Sequence, residues 1–214
     1  GVAGNLDNKP WTKVDPPESP VESAFVRGIA VGSSIAPYRL LDIPRGIVPF
    51  EDGSILDARA ADSRGHRGLS SWLSDAEDKW NEHSNCQEDG TPNATLSESL
   101  DHLQKLTKQF PVSSIRILYP ASGTRLCACW IEDENVVIDK NAYWAPARSV
   151  EEAAYVAAII NSQIVLDRVK DLQPVGQRDP RHFDNLVWTL PIPEFDETDS
   201  IHRELAEAAL HAAD

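Results

Sequence analysis

The sequence predicts an α+β protein with small mixed or antiparallel sheets, four to five helices and an amphipathic helix at its C-terminal end. Strand-like apolar runs and stretches of helical periodicity are interspersed along the chain without regular β-α alternation. The 214 residues include 41% hydrophobic and 25% charged residues, which is typical of a globular protein with one domain or two small ones.

The N-terminal part is predicted to be an extended lead-in followed by strands. Four prolines lie within the first twenty residues, so residues 1–23 are expected to be extended. Short apolar runs broken by glycine and proline predict strands over 24–31, 38–43 and 46–50. The folded domain is therefore expected to cover 24–214.

Two helices are predicted next, each with a capping box. Apolar residues recur at helical spacing over 69–80, and Ser74 with Glu77 fits a capping box within that stretch. A second helix is predicted over 95–110, because it starts with a threonine, Glu98 completes the box, and a proline follows the last residue.

The C-terminal part combines strands with helices. Ser149 and Glu152 cap a helix that is apolar almost all round and is expected to be buried. Residues 149–214 could therefore form a helical subregion of the domain. The predicted elements are strands over 114–119, 125–131 and 135–138, helices over 149–160 and 161–172, a short strand over 186–190, and a final amphipathic helix over 201–212.

The charge is strongly negative but unevenly distributed. The net charge is −14, and segments 71–100 and 191–214 each hold seven acids and one base. Segment 26–70 instead carries six arginines against five acids. An acidic chain repels nucleic acid. The excess of negative charge lies in segments predicted to be solvated, however, so the rest of the chain can still present a positive surface.

The sequence indicates a cytoplasmic protein with no membrane partner. No run approaches the roughly 18 apolar residues of a transmembrane helix, and no signal peptide is visible at the start. The three cysteines, an odd number without metal-ligand spacing, favour a reduced compartment. Because the chain begins at Gly1 and contains no Met, we expect it to be a fragment of a longer polypeptide.

The residues for catalysis and cofactor binding are not found in the sequence. Gly28 and Gly32 do not have the spacing of a nucleotide-binding turn. The stretch 15–18 reads Asp-Pro-Pro-Glu, whereas the catalytic loop of amino-methyltransferases reads Asp/Asn-Pro-Pro-aromatic. In that loop the aromatic residue stacks on the extruded base, which Glu18 cannot do. Cys127 and Cys129 are expected to be buried hydrophobes, and the histidines form no metal-binding pair. The chain as given is predicted to have no catalytic, metal-binding or cofactor-binding residues.

Several short motifs nevertheless recur in one order. These are 25–28 (FVRG), 38–41 (YRLL), 119–124 (YPASGT), 142–155 (starting AYWA), 158–162 (AIINS) and 190–195 (LPIPEF). In this order and spacing they resemble the C-terminal region of adenine-specific N-6 DNA methyltransferases of restriction–modification systems. The resemblance covers roughly residues 24–214.

The resemblance implies a target recognition domain that binds double-stranded DNA. The catalytic loop and the S-adenosylmethionine site would lie in an upstream methyltransferase domain of the same polypeptide. That domain would flip and methylate the adenine. No cofactor would then be bound by this chain itself.

DNA recognition by this domain would depend mainly on arginines, which bind guanine edges and phosphates. The first loop, residues 64–67, has Gly65 within it and Gly68 just after it, precedes a helix, and is the leading candidate for base contacts. The second is a polar turn suited to phosphates, and the third is a long loop, where function concentrates. The candidate residues are Arg64, His66 and Arg67 in the first, Ser122, Gly123, Thr124 and Arg125 in the second, and Arg178 and Arg181 in the third.

Structural alternatives stand beside the first two of these assignments. The first loop could be a solvated loop balanced by nearby acids, and the second a plain hairpin turn. Asn161 and Ser162 are expected to end or cap helices, and Tyr143 and Trp144 to lie in the core.

Two other functions compete with DNA recognition. The first is an acidic protein-interaction or DNA-mimic module, and the second is a hydrolase whose site is not recognised. A DNA reader needs arginines on one face, a mimic needs acids there, and a hydrolase needs a metal or nucleophile cluster.

The isolated chain is predicted neither to bind S-adenosylmethionine nor to methylate DNA, because the residues for both tasks are missing from its sequence. Isothermal titration calorimetry with S-adenosylmethionine tests this directly. Saturable heat at micromolar cofactor would contradict the prediction.

Overall fold

The computed structural model describes residues 11–85, 90–173 and 182–214. Within them the chain is α+β, as predicted, with six α-helices and ten short strands. The chain divides into two compact units. Unit 1 contains the described residues of 1–28 and 44–110, and unit 2 contains those of 29–43 and 111–214.

The helices are α1 (Ala58–Ser63), α2 (Arg67–His83), α3 (Leu96–Leu100), α4 (Val150–Ile160), α5 (Gln163–Leu172) and α6 (Ser200–Ala213). The strands are β1 (Val26–Ala30), β2 (Ile35–Ala36), β3 (Arg39–Leu40), β4 (Arg45–Ile47), β5 (Phe50–Glu51), β6 (Ser54–Ile55), β7 (Arg116–Pro120), β8 (Cys129–Ile131), β9 (Val136–Ile138) and β10 (Ala142–Pro146). Short 3₁₀ helices cover Trp11–Lys13, Ser23–Phe25, Gly32–Ser34, His102–Gln104, Thr107–Gln109 and Leu186–Thr189. No helix among the described residues has both the length and the apolar character needed to cross a membrane.

The locally encoded helix starts agree with the sequence analysis. The capping box of Thr95 and Glu98 is present, and Ser149 caps α4 by accepting a hydrogen bond from the Glu152 amide. The box predicted at Ser74 is wrong, because α2 begins seven residues earlier, at Arg67.

The single helix predicted over 95–110 is also wrong. The helix ends at Leu100, and Leu103 has a φ of 56° that interrupts the helical path. The carboxylate of Asp101 accepts hydrogen bonds from the amides of Leu106 and Thr107, which starts a new turn instead. Short polar side chains compete with helical hydrogen bonds in this way.

Two strand predictions also differ from the structure. Residues Leu186–Thr189 form a 3₁₀ helix rather than a strand. Strand β10, to which the sequence analysis assigns no secondary structure, pairs antiparallel with β7 along its whole length. Its side chains are mostly half-buried, so it lacks the alternation that marks a strand with one wet face.

In unit 1 the lead-in packs along helix α2. Trp11 stacks on Trp80 near the end of the helix, with ring centroids 5.2 Å apart. At the start of the helix, the carboxylate of Glu22 accepts hydrogen bonds from the amides of Gly68 and Leu69, at 3.0 and 2.8 Å. The lead-in therefore supplies the N-terminal cap that the helix lacks in its own sequence.

Unit 2 is built on the sheet β10-β7-β8, with helix α4 packed against it. Helix α6 lies on α4, where Ala206 and Ala209 contact Ala154 and Tyr155. The side-chain amide of Asn161 exchanges two hydrogen bonds of 2.9 Å with the backbone of Ala128, which joins the end of α4 to the segment before β8.

We predict that Gly68→Ala destabilises the protein. A Cβ at this position would lie 2.5 Å from the Pro20 carbonyl oxygen, so the lead-in would have to move away from α2. Overpacking of this kind costs about 1–3 kcal/mol. Gly123→Ala is the control, because the nearest atom to its Cβ would be 3.5 Å away. Urea unfolding should give a lower midpoint for Gly68→Ala only, and equal midpoints for the two variants would contradict the prediction.

Candidate functional site

The first candidate loop connects α1 to α2 in unit 1, and two of its three residues are bound to carboxylates. The Arg64 guanidinium donates to Glu51 at 3.1 Å and contacts Asp52 at 3.4 Å. The Nε2 atom of His66 lies 2.9 Å from the other Glu51 oxygen. Hydrogen bonds from His66 and then Arg64 hold the pKa of Glu51 below its usual range.

The helix end that follows this loop is already occupied by an acid. The N-terminus of a helix binds anions through its free amides. Here the Glu22 carboxylate holds the amides of Gly68 and Leu69, so it stands where a phosphate would bind. Arg67 is exposed and has no ion pair in the part of the chain that the structure describes. It is the one candidate cation of this loop whose charge is not balanced there.

The second candidate turn connects β7 to β8 in unit 2 and meets two other loops. Ser122 forms a β-bridge with His182. The carbonyl of Ala121 accepts hydrogen bonds from the amides of Phe183 and Asp184, at 2.7 and 3.0 Å. The amide of Ala121 donates to the carbonyl of Asn141 at 2.8 Å. We call residues 121–125, 139–141 and 182–184 the Ala121 edge.

The Ala121 edge carries exposed polar side chains. Ser122, Thr124, Arg125, Lys140 and His182 are exposed, whereas Gly123 is half-buried. Gly123 lies close to the ring of Phe183, since a Cβ there would lie 3.6 Å from its Cε2 atom. No ion pair to Arg125 is found within 11–85, 90–173 and 182–214.

Two acids share this edge with the cations. The Asp139 carboxylate accepts a hydrogen bond from the amide of Asn141 at 2.9 Å, which shapes the turn before β10. Asp184 is exposed and has a φ of 43°, and its carbonyl accepts a hydrogen bond from the Tyr119 hydroxyl at 2.7 Å. Burial, and next the charge of Asp184, raise the pKa of Tyr143.

The third candidate pair, Arg178 and Arg181, lies outside the described residues, next to His182 in the sequence. The β-bridge from Ser122 to His182 therefore joins the second candidate turn to the residue that follows Arg181 in the sequence. The first loop belongs to the other unit. Sequence reasoning missed Lys140 and Asp184 as members of the edge. A prediction of strand β10 would have placed Lys140 in the short connection between two strands.

The remaining candidate residues have structural contacts. Cys127 and Cys129 are buried, and burial raises the pKa of both thiols, that of Cys129 to about 12. Cys86 lies outside the described residues. Ser162 caps α5, and Tyr143 and Trp144 are half-buried against the core clusters. Among the described residues, no group of three or more His, Cys, Asp or Glu side chains could hold a metal ion.

Comparison with known proteins adds no family assignment. No protein-family model matches the chain, and no curated protein matches it. The resemblance to adenine-specific DNA methyltransferases therefore rests on the motifs themselves.

We predict that Glu51 makes the stability of the protein depend on pH in the acid range. The folded state lowers the pKa of this carboxyl from 4.5, so its contribution is complete above the unfolded pKa and is lost as the pH falls through the folded pKa. Glu51→Gln should therefore lower Tm at neutral pH, and the difference from wild type should shrink on acidification. Glu18→Gln is the control, because Glu18 is an exposed residue of unit 1. A Tm difference that stays constant down to acid pH would show that Glu51 does not act through its charge.

Proposed function

We propose that this chain is a DNA sequence-recognition module that contacts double-stranded DNA through the Ala121 edge. The observation that carries this proposal is the exposed Arg125, which sits on a turn tied to two other loops and has no ion pair among the described residues. A hydrogen-bonded turn whose guanidinium has no ion pair among the described residues is suited to a phosphate or a guanine edge.

Comparison with other arginines of the chain supports this choice. The Arg148 guanidinium is 2.7 Å from the Glu152 carboxylate, and Arg64 is bound to Glu51 in the same manner. Either of these side chains would have to break an internal ion pair before binding a phosphate. Arg125 has no ion pair of this kind to break within the part of the chain that the structure describes.

The resemblance points to the same surface. The motif over 119–124 forms the end of β7 and the turn that carries Arg125. In the methyltransferases that the sequence resembles, the whole region that corresponds to residues 24–214 is the target recognition domain. We therefore propose that the parent protein is an adenine-specific DNA methyltransferase. Its S-adenosylmethionine site would lie in an upstream domain.

DNA binding by the isolated chain is expected to be weak and to depend steeply on salt. The net charge of −14 opposes the approach of DNA, and few cations line the Ala121 edge. Salt screens both the repulsion from the acidic chain and the attraction to the cations. Counterion release dominates the observed affinity, so the affinity should fall as the salt concentration rises.

We predict that Arg125→Gln weakens the binding of labelled duplex DNA, measured by fluorescence anisotropy at low salt. The loss of one phosphate contact should also lower the slope of log affinity against log salt by about 0.9. Arg203→Gln is the matched control, because Arg203 is an exposed arginine of unit 2 that lies on the acidic helix α6. Equal effects of the two substitutions would mean that only net charge matters, and would remove the Ala121 edge from the proposal.

A second function is favoured by the acidic segment near the C-terminus. Its seven carboxylates are all exposed, while its one basic residue, Arg203, donates a hydrogen bond to the carbonyl of Glu197 at 3.3 Å. Such a surface suits a basic protein partner, as in a protein-interaction or DNA-mimic module. The acidic residues are Glu194, Asp196, Glu197, Asp199, Glu204, Glu207 and Asp214. Absence of duplex binding even at low salt would favour this function over the first.

A further inference from the structure

We propose that the Ala121 edge contacts the phosphodiester backbone through Arg125 and Lys140, and that the carboxylate of Asp184 limits the strength of this contact. This inference rests on the proposed function and assigns roles to residues within the same surface. Lys140 and Asp184 enter it from loops that the sequence alone does not bring together.

The backbone geometry places the three side chains on one edge. Ala121 donates through its amide to Asn141, the residue after Lys140, and accepts through its carbonyl from Asp184. Arg125 ends the turn that begins at Ala121, and this turn is held by the β-bridge from Ser122 to His182. Hydrogen bonds through a single residue therefore connect all three loops.

The form of the edge favours phosphate over base contacts. Its cations come from two short turns at the end of a sheet, and no described helix carries them toward a groove floor. Small hydroxyl side chains, Ser122 and Thr124, lie beside Arg125 in the sequence. Hydroxyls and cations of this kind commonly contact phosphate oxygens, which positions a protein on DNA without reading its sequence.

Asp184 opposes the same contact. Its carboxylate is exposed, and no salt bridge to it is found within the described part of the chain. The other acid of this region differs, since the Asp139 carboxylate binds the Asn141 amide within its own turn. A carboxylate on the same edge as the cations, with no salt bridge among the described residues, repels phosphate oxygens within a Debye length, about 10 Å at 0.1 M salt.

Replacement of Asp184 by Asn removes this charge without disturbing the fold. The residue has a φ of 43°, in the left-handed region, which asparagine tolerates at least as well as aspartate does. Its backbone amide and carbonyl make the hydrogen bonds to Ala121 and Tyr119, and both bonds are kept in the variant.

The experiment compares the full chain with four variants on two unrelated labelled duplexes, at several salt concentrations. Asp184→Asn should tighten binding to both duplexes by about two- to threefold at low salt, the factor for unit charges about 8 Å apart in water. Lys140→Gln should weaken binding to both and lower the salt slope by about 0.9, as one lost phosphate contact does. Glu207→Gln and Arg203→Gln, on helix α6, are the matched controls and should change neither quantity.

Circular dichroism and thermal unfolding confirm that each variant is folded before its affinity is compared. Equal affinities of Asp184→Asn and Glu207→Gln would overturn the role of Asp184. An unchanged salt slope for Lys140→Gln would overturn the role of Lys140. A loss confined to one duplex would indicate a base contact and would also overturn the inference. In each of these results the wild type still binds DNA, so the proposed function stands. A wild type that binds neither duplex at low salt would instead refute the proposed function itself.

Discussion

Burial of the Arg116 guanidinium is the constraint on which the architecture of unit 2 depends. This side chain is fully buried, and its Nη1 and Nη2 atoms donate to the carbonyls of Val136 and Asp133, each at 2.7 Å. A buried charge is tolerated only where hydrogen bonds replace water. The start of β7 is therefore held against the segment that leads into β9, and the far end of the same strand delivers Ala121 to the edge where three loops meet.

Pairing of charges also decides which surface cations remain available for a ligand. Arg64 and His66 share the Glu51 carboxylate, and the Glu22 carboxylate occupies the end of helix α2. Each of these contacts engages basic side chains or helix amides that would otherwise be available to bind DNA phosphates. Two of the three candidate side chains of this loop are therefore engaged within unit 1, and Arg67 remains without an ion pair among the described residues, as Arg125 does in unit 2.

An acidic chain can bind DNA only if its charges are separated in space. Exposed carboxylates concentrate in the segment that contains α6, whereas the Ala121 edge places two cations beside two acids, one of which is engaged within its own turn. The proposed module therefore has a small attractive surface on a repulsive body. This arrangement favours weak binding by the isolated chain, with tighter binding where a second domain contacts the duplex.

The sequence by itself determined the elements whose signals are local. The capping box at Thr95 and the capped apolar helix α4 follow from residues three positions apart, and the α+β class follows from the mixture of such signals. Tertiary structure decided the rest, because the partners are distant in sequence. Strand β10 depends on pairing with β7, and the availability of Arg64 depends on Glu51, thirteen residues away. A pattern read over one turn of helix contains no information on contacts at that separation, so the ranking of the candidate loops required the folded chain.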